Sequence, residues 1–358
     1  EDRFGNKIID FKKNNLHLVS YSERINKILH FRDLKKKLYF IKNKPDLIPY
    51  VTSYYKKDWG FCLSYNEYKK INKNSNYKVI INSKFKKGFL RYGEIFIQGK
   101  SNKEFVFTSY LCHPSMVNNE LAGPTLLLAL SKIIGSKSNN YSYRILIIPE
   151  TIGSISYLSK NYDKIKNKIN YGFVVTCIGD SSNFSFIRSK YEDTSINYDM
   201  KLFFKSQKIP FKSLKWIKDR TDSRQFNSNR IELPFVTLTR AGPGNYNTYH
   251  TSGDLLQTVV SKENLRESLD ILTNLYLQLD RKIFPISNIS CEPFLQKYNL
   301  YNHISKDQSV SLDKRLLRNF IAYANGKNSL EFIASKINCN KEEAYQIYKS
   351  LKKKKIIV

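Results

Sequence analysis

Cysteine is scarce in this chain and nowhere paired. Of 358 residues only five are Cys, at 62, 112, 177, 291 and 339, an odd number with no Cys-x-x-Cys among them. That excludes a disulfide framework and a Cys-rich zinc knuckle, and fits a reducing, cytoplasmic location. Long apolar runs are also missing: none reaches the roughly 18–20 residues that a membrane span needs. The opening Glu1-Asp2-Arg3-Phe4-Gly5 is polar throughout, which argues against a signal peptide there. A start on Glu rather than Met points to natural sequence further upstream. No Gly-x-Ser-x-Gly elbow occurs, which disfavours a serine hydrolase. Gly242-Pro243-Gly244 lacks the Lys-Ser/Thr and following helix of a phosphate-binding P-loop.

Acidic residues are few beside basic ones, 31 against 60, which leaves a formal net charge of +29. A balance this basic suits a nucleic-acid or anionic-surface partner. The basic residues are mostly Lys, however, and run from end to end; only Lys352-Lys353-Lys354-Lys355 forms a tight cluster. A solvated surface is therefore the favoured reading, and nucleic acid a secondary one. With 41% hydrophobic residues the chain can build a sizeable core, enough for two or three domains or one large domain with attachments.

The first hundred residues read as short strands with turns: Leu16–Tyr21, the stretch 49–55, Lys78–Asn82 and Gly93–Gln98, interrupted by a helix over Phe31–Phe40. From Glu104 the grammar changes. Apolar strands at Phe105–Leu111, Tyr143–Ile148, Phe173–Ile178 and Phe235–Thr239 alternate with helical patterns at Glu120–Ile134, Thr151–Ile169, Thr194–Gln207 and Lys262–Leu279. Alternation of buried strands with helices predicts a mostly parallel α/β sheet. The tail is helical from Leu312. Helices at Ser329–Ile337 and Lys341–Leu351, followed by Lys355-Ile356-Ile357-Val358, outline a winged helix.

Each of the four later strands delivers chemistry at its carboxyl end. Phe105–Leu111 runs into His113, Tyr143–Ile148 into Glu150, Phe173–Ile178 into Asp180, and Phe235–Thr239 into a Gly/Pro-rich loop ending at Tyr249-His250. That edge of an open parallel sheet is where ligands bind, and two imidazoles with carboxylates suit a divalent ion, zinc first. Cys112 and Cys177 close apolar runs and read as buried small hydrophobes. Strand alternation turns Cys112 away from His113, which disfavours a Cys–His nucleophile pair.

The ordered set His113, Asn118-Asn119-Glu120-Leu121-Ala122-Gly123, Glu150, Asp180, His250 resembles the zinc aminopeptidases of the bacterial leucyl-aminopeptidase type. The strings Ile48-Pro49-Tyr50-Val51-Thr52-Ser53, Trp59-Gly60-Phe61-Cys62, Cys112-His113-Pro114-Ser115-Met116, Pro149-Glu150-Thr151-Ile152-Gly153-Ser154 and Tyr249-His250-Thr251-Ser252 resemble a closer group. These are aminopeptidase-like bacterial proteins of the domain-of-unknown-function kind that accompany surface-polysaccharide biosynthesis genes. The likeness extends over almost the whole chain, the winged-helix end included.

The resemblance implies His113, Glu120, Asp180 and His250 as metal ligands, with Asn119 a metal or substrate contact. It implies Glu150 as the general base, and Asp222, Arg224 and Tyr249 at the substrate. Three departures from the pattern bear on this. The bridging Asp of active aminopeptidases is Asn119 here, and their paired Glu is Glu150-Thr151. The close group's Ser-Asp-Glu-Arg-Gln-Tyr is Thr221-Asp222-Ser223-Arg224-Gln225-Phe226. The first two favour one zinc ion over two, and the third leaves activity open.

The expected fold is α/β: a mostly parallel aminopeptidase-like sheet with a β-rich insertion and a C-terminal winged helix. Residues 1–14 would begin the peptidase-like domain, 15–100 form the inserted domain, 101–290 the α/β domain and 310–358 the winged helix. The expected activity is a zinc-dependent amide or peptide hydrolysis of aminopeptidase type, on a small-molecule or peptide-like conjugate in surface-polysaccharide biosynthesis. A catalytically inactive binding protein on the same scaffold is the first alternative, and a DNA-binding regulator acting through the winged helix the second. Oligomeric state is not legible.

Overall fold

A computed structural model describes residues 1–298, 300 and 314–358. The start of the expected 310–358 unit, and the expected helical onset at Leu312, lie outside the described residues.

The first part of the chain holds β1 (Ile25–His30), α1 (Phe31–Leu34), β2 (Leu38–Tyr39), β3 (Phe61–Cys62), α2 (Tyr65–Lys69) and β4 (Asn76–Ile81). β1 pairs antiparallel with β4, and β2 parallel with β3. β4 buries Tyr77, Val79 and Ile81 on one face and exposes the residues between, the period-two pattern of a half-covered sheet. Three local expectations change here. Leu16–Tyr21 is not a strand: a 3₁₀ turn at Asn15–His17, whose Leu16 N–H donates to the Asn14 side chain, leads into single bridges from Leu18 to Phe61 and from Ser20 to Thr52. The stretch 49–55 likewise makes single bridges only, since Pro49 has no N–H to give a ladder. The helix expected over Phe31–Phe40 stops at Leu34, because Leu38 and Tyr39 leave it to pair with Phe61 and Cys62.

The central sheet is built from β5 (Gly93–Ile97), β6 (Glu104–Tyr110), β7 (Ser142–Ile148), β8 (Ile169–Val175), β9 (Phe184–Ile187), β10 (Phe211–Leu214) and β11 (Phe235–Thr239). Their spatial order is β10-β9-β11-β8-β6-β7-β5. The middle four, β7-β6-β8-β11, are mutually parallel, while β5 and β9 run antiparallel to their neighbours β7 and β11. The expected mostly parallel α/β sheet is therefore present, and Gly93–Ile97 pairs into it rather than with β1–β4. β9 and β10, four residues each, are too short to show a period and were not expected.

Every residue of β6, β8 and β11 is buried, as strands covered on both faces must be. The covering helices are α3 (Ala122–Gly135), α4 (Ile152–Ile165), α5 (Ser195–Ser206) and α7 (Lys262–Leu279), with the short α6 (Ser223–Phe226) between. α7 starts where the Ser261 side chain accepts from the Asn264 N–H, and it buries Leu272, Leu275, Tyr276 and Leu279 at i, i+3 and i+4 spacing. α3 sits unusually close to the sheet. A Cβ at Gly123 would stand 2.2 Å from Ser109 Oγ and 2.4 Å from the Val175 carbonyl, so only glycine permits that approach. α4 ends at Ile165, short of the expected Ile169, which already belongs to β8.

The tail holds α8 (Lys314–Tyr323), α9 (Leu330–Lys336) and α10 (Lys341–Lys353) around Leu317, Phe320, Ile333, Ile347 and Leu351. Bridges from Ile286 to Asn325 and from Ser287 to Ile357 complete it. Among the described residues no helix is long and apolar enough to cross a membrane.

Candidate metal centre

Because β6, β7, β8 and β11 are parallel, their carboxyl ends open on one edge. Each loop leaving that edge contains a non-glycine residue with positive φ: Ser115 at 56°, Thr151 at 62°, Cys177 at 46° and His250 at 55°. Such conformations are costly for side chains that carry a Cβ and cluster where a site over-determines the backbone.

The loop after β6 passes through Cys112 and His113 into one turn of π-helix, Val117–Leu121, that opens α3. π-turns recur at functional sites. This one buries Asn118, Asn119 and Glu120. Glu120 accepts from His113 Nδ1, from the Cys112 N–H at 2.6 Å and from Asn119 Nδ2 at 2.7 Å. His113 is thereby oriented through Nδ1, and its Nε2 faces Glu150 Oε2 at 4.0 Å. Burial alone would depress the His113 imidazole, but the Glu120 hydrogen bond and charge, with Glu150 adding to them, carry it above its ordinary value.

Glu150 leaves β7 in a tight turn centred on Thr151, with the Ile152 N–H donating to the Glu150 carbonyl at 2.7 Å. The turn is a γ-turn with positive central φ, a rare and strained form. Asp222 holds it: its buried Oδ1 accepts from the Thr151 N–H at 2.7 Å and from Ser154 Oγ at 2.9 Å. Asp222 thus supports the turn, with one carboxylate oxygen committed inward. Burial, with the Asp222 charge behind it, pushes the Glu150 carboxyl up to about 7. Replacing Asp222 by Ala leaves the Thr151 N–H without its acceptor, and unfolding by urea should show a loss of about 1–3 kcal/mol. An unchanged midpoint would mean that the turn holds itself.

Asp180 is buried and accepts from Asn118 Nδ2 at 2.9 Å and from the Ser182 N–H at 2.9 Å. His250 lies against His113, ring centroids 4.9 Å apart, and Tyr249 stacks on it at 3.9 Å. Burial first, and the His113 charge second, lower the His250 imidazole to about 4, so it is neutral near pH 7. Its Nε2 is buried with no hydrogen-bond partner among the described residues. A buried imidazole nitrogen in that position either wastes a polar group or awaits a ligand.

Among the described residues, the group whose donor atoms all lie within 4.8 Å of one another is Cys112, His113 and Glu150. His250 and Glu120 adjoin that group through His113, whereas Asp180 stands on the loop after β8, each of its oxygens accepting a hydrogen bond. Arg224 is further out, its guanidinium 4.4 Å from the Trp216 ring centroid. Cys112 differs from the sequence reading. β6 ends at Tyr110, strand alternation no longer applies, and the exposed thiol lies 3.2 Å from His113 Nδ1. The residue reaches the surface, yet protein groups crowd its sulfur, and that desolvation together with the Glu120 charge pushes the thiol up, so it is not a ready thiolate.

Two supporting residues were not singled out from the sequence. The fully buried Asp254 accepts from the Asn118 and Asn119 N–H groups at 2.8 and 3.1 Å and from the Tyr246 hydroxyl at 2.8 Å; its position four residues past His250 was the available signal. Tyr50 sets its ring edge-on to both His113 and His250, at 4.7 and 5.3 Å, and donates its N–H to the His250 carbonyl at 2.8 Å. The region before the sheet therefore helps to fix the His250 loop.

Comparison with known proteins agrees with this architecture. Residues 5–282 match the family described as a domain of unknown function (DUF4910), and residues 284–358 match a winged helix-turn-helix. A Clostridium acetobutylicum protein, named as a candidate polysaccharide biosynthesis protein with an aminopeptidase-like domain, is 38% identical over 333 residues, 93% of this chain and 76% of that protein. The crystal structure of a candidate peptidase from Clostridium acetobutylicum superposes with a TM-score of 0.77 at 32% identity, covering 100% of this chain and 81% of the other. The zinc aminopeptidase BSAP of Bacillus subtilis shares the fold at 13% identity, with a TM-score of 0.54 over 71% of this chain and 68% of that one. The chain belongs to the DUF4910 family, with an aminopeptidase-like α/β fold and a winged helix-turn-helix at its C-terminal end.

Proposed function

We propose that the protein is a zinc-dependent amide hydrolase of aminopeptidase type, acting in the cytoplasm on an aminoacyl or acyl conjugate used in surface-polysaccharide biosynthesis. The observation that carries this reading is the buried His250 Nε2, without a partner, beside a His113 that Glu120 orients through its other ring nitrogen.

The donor set fits a divalent ion of zinc's kind: two imidazoles with carboxylates alongside. His113, His250, Glu120 and Asp180 are the residues assigned to hold it, as one ion rather than two, because Asn119 offers a neutral amide where a carboxylate would bridge. When bound, the ion supplies Lewis acidity toward a carbonyl oxygen and makes a water more acidic. Glu150 takes the proton of the attacking water and returns it to the leaving amine. Asp222 keeps Glu150 in place through Thr151, and Tyr249, stacked on His250, is the residue assigned to meet the substrate there. Free amine released from aminoacyl amides by the zinc-supplemented chain, and not by its Glu150→Gln variant, is the test.

A second reading, a binding protein without turnover, has one specific support. Ser223 is completely buried and donates to Asp219, so the position where the close group carries Glu is turned inward here. Absence of turnover on every amide tried, with metal retained, would favour it.

A further inference from the structure

Beside the Asp180 loop lies a cleft of about 1050 Å³. Its boundary with the candidate centre is shared: Ser182 and Ala241 line the cleft, and their N–H groups reach Asp180 at 2.9 and 3.4 Å. Lys212, Lys218, Arg220, Arg224 and Arg240 face it. Arg240 is neutralised by Glu267. Among the described residues the other four have no carboxylate within 4.0 Å. The one acidic side chain in the lining, Asp219, is 3% exposed and turned inward, accepting from Ser223 Oγ, Thr237 Oγ1 and the Thr221 N–H. Four cations around one concavity whose lining acid is turned inward repel one another, and the low-dielectric walls concentrate their field.

The chain is basic everywhere, so charge alone would say little. Two features set this cleft apart. Arginines are gathered here in a chain whose positive charge is otherwise mostly Lys, and the guanidinium fork matches the oxygens of a phosphate. Arg224 also sits over the Trp216 ring while its Nη1 donates to the Asp219 carbonyl at 3.4 Å, which preorganises it.

We infer that this cleft binds a phosphate ester, and that the substrate is a phosphorylated conjugate whose amide lies at the candidate centre while its phosphate sits between Arg220 and Arg224. The word substrate rests on the hydrolase reading above; the phosphate site does not. Calorimetric titration of the full chain in EDTA, which needs neither metal nor turnover, separates the two. Glucose 1-phosphate and uridine diphosphate glucose serve as the phosphate probes, with glucuronate as a carboxylate and glucose as a neutral sugar. Binding of a phosphate probe but of neither comparison sugar is expected, weakened about tenfold to a hundredfold in Arg220→Gln and in Arg224→Gln. The pair Lys160→Gln with Lys164→Gln, on the exposed face of α4, should leave it unchanged. The two phosphate probes tell a monoester from a nucleotide diphosphate. No binding at millimolar probe, equal binding of glucuronate, or equal weakening by the α4 pair would overturn the inference.

Discussion

Replacing Glu150 by glutamine is expected to lower turnover of an aminoacyl amide by about 10²- to 10⁴-fold, the usual contribution of a positioned general base. The substitution keeps the shape of the side chain and removes its capacity to take a proton. Glu150 stands two residues past β7 and lies on a γ-turn that Asp222 holds through the Thr151 N–H, so the backbone has no reason to move. Metal content and unfolding midpoint should therefore stay at wild-type values, and KM should change far less than kcat. Turnover within a factor of a few of wild type would remove Glu150 from the reaction. Loss of turnover together with loss of metal would instead make it a ligand, in line with its place beside Cys112 and His113.

The second large effect lies away from the site. Lys282 is 6% exposed and pairs with the buried Asp199 at 3.0 Å and with Glu331 at 3.3 Å. Asp199 belongs to α5 and Glu331 to α9, so this ion cluster ties the winged helix to the sheet domain. Ser329, which caps α9, also donates to Asp199 at 3.0 Å. Lys282→Met leaves the buried Asp199 without its counter-charge, while Glu331 keeps Lys341 at 3.0 Å, and should cost about 3–5 kcal/mol, read by urea unfolding. Wild-type stability in that variant would contradict the role.

The same cluster carries a pH dependence. Burial pushes Glu331 up, but Lys282 and Lys341 outweigh it and its carboxyl is held below the ordinary 4.5. A carboxyl depressed in the folded state stabilises above its ordinary value, and that stabilisation is lost as pH falls through the folded value. The stability gap between wild type and Glu331→Gln should thus be full at neutral pH and shrink below about 4.5.

The sheet and the order of its chemistry were legible because they rest on long apolar runs. β6, β8 and β11 are wholly buried and β7 mostly so, and the loops that follow them carry His113, Glu150, Asp180 and His250. The region before the sheet was less legible, since its strands are two residues long at β2 and β3 and its contacts are single bridges. Such pairing leaves no period to read. Cys112 was misjudged for a related reason: alternation was carried two residues past the end of β6 at Tyr110. The roles of Asp254, Tyr50 and the Arg220–Arg224 cleft depend on loops that meet only in three dimensions.

The central claim is that His113 and His250 converge to hold a metal. Metal content per chain by mass spectrometry, on wild type and on His250→Ala, tests it most directly. The account predicts about one zinc per chain after zinc supplementation and dialysis, lost in the variant. A wild-type chain that retains no metal under those conditions would contradict it and leave a binding protein on a peptidase scaffold.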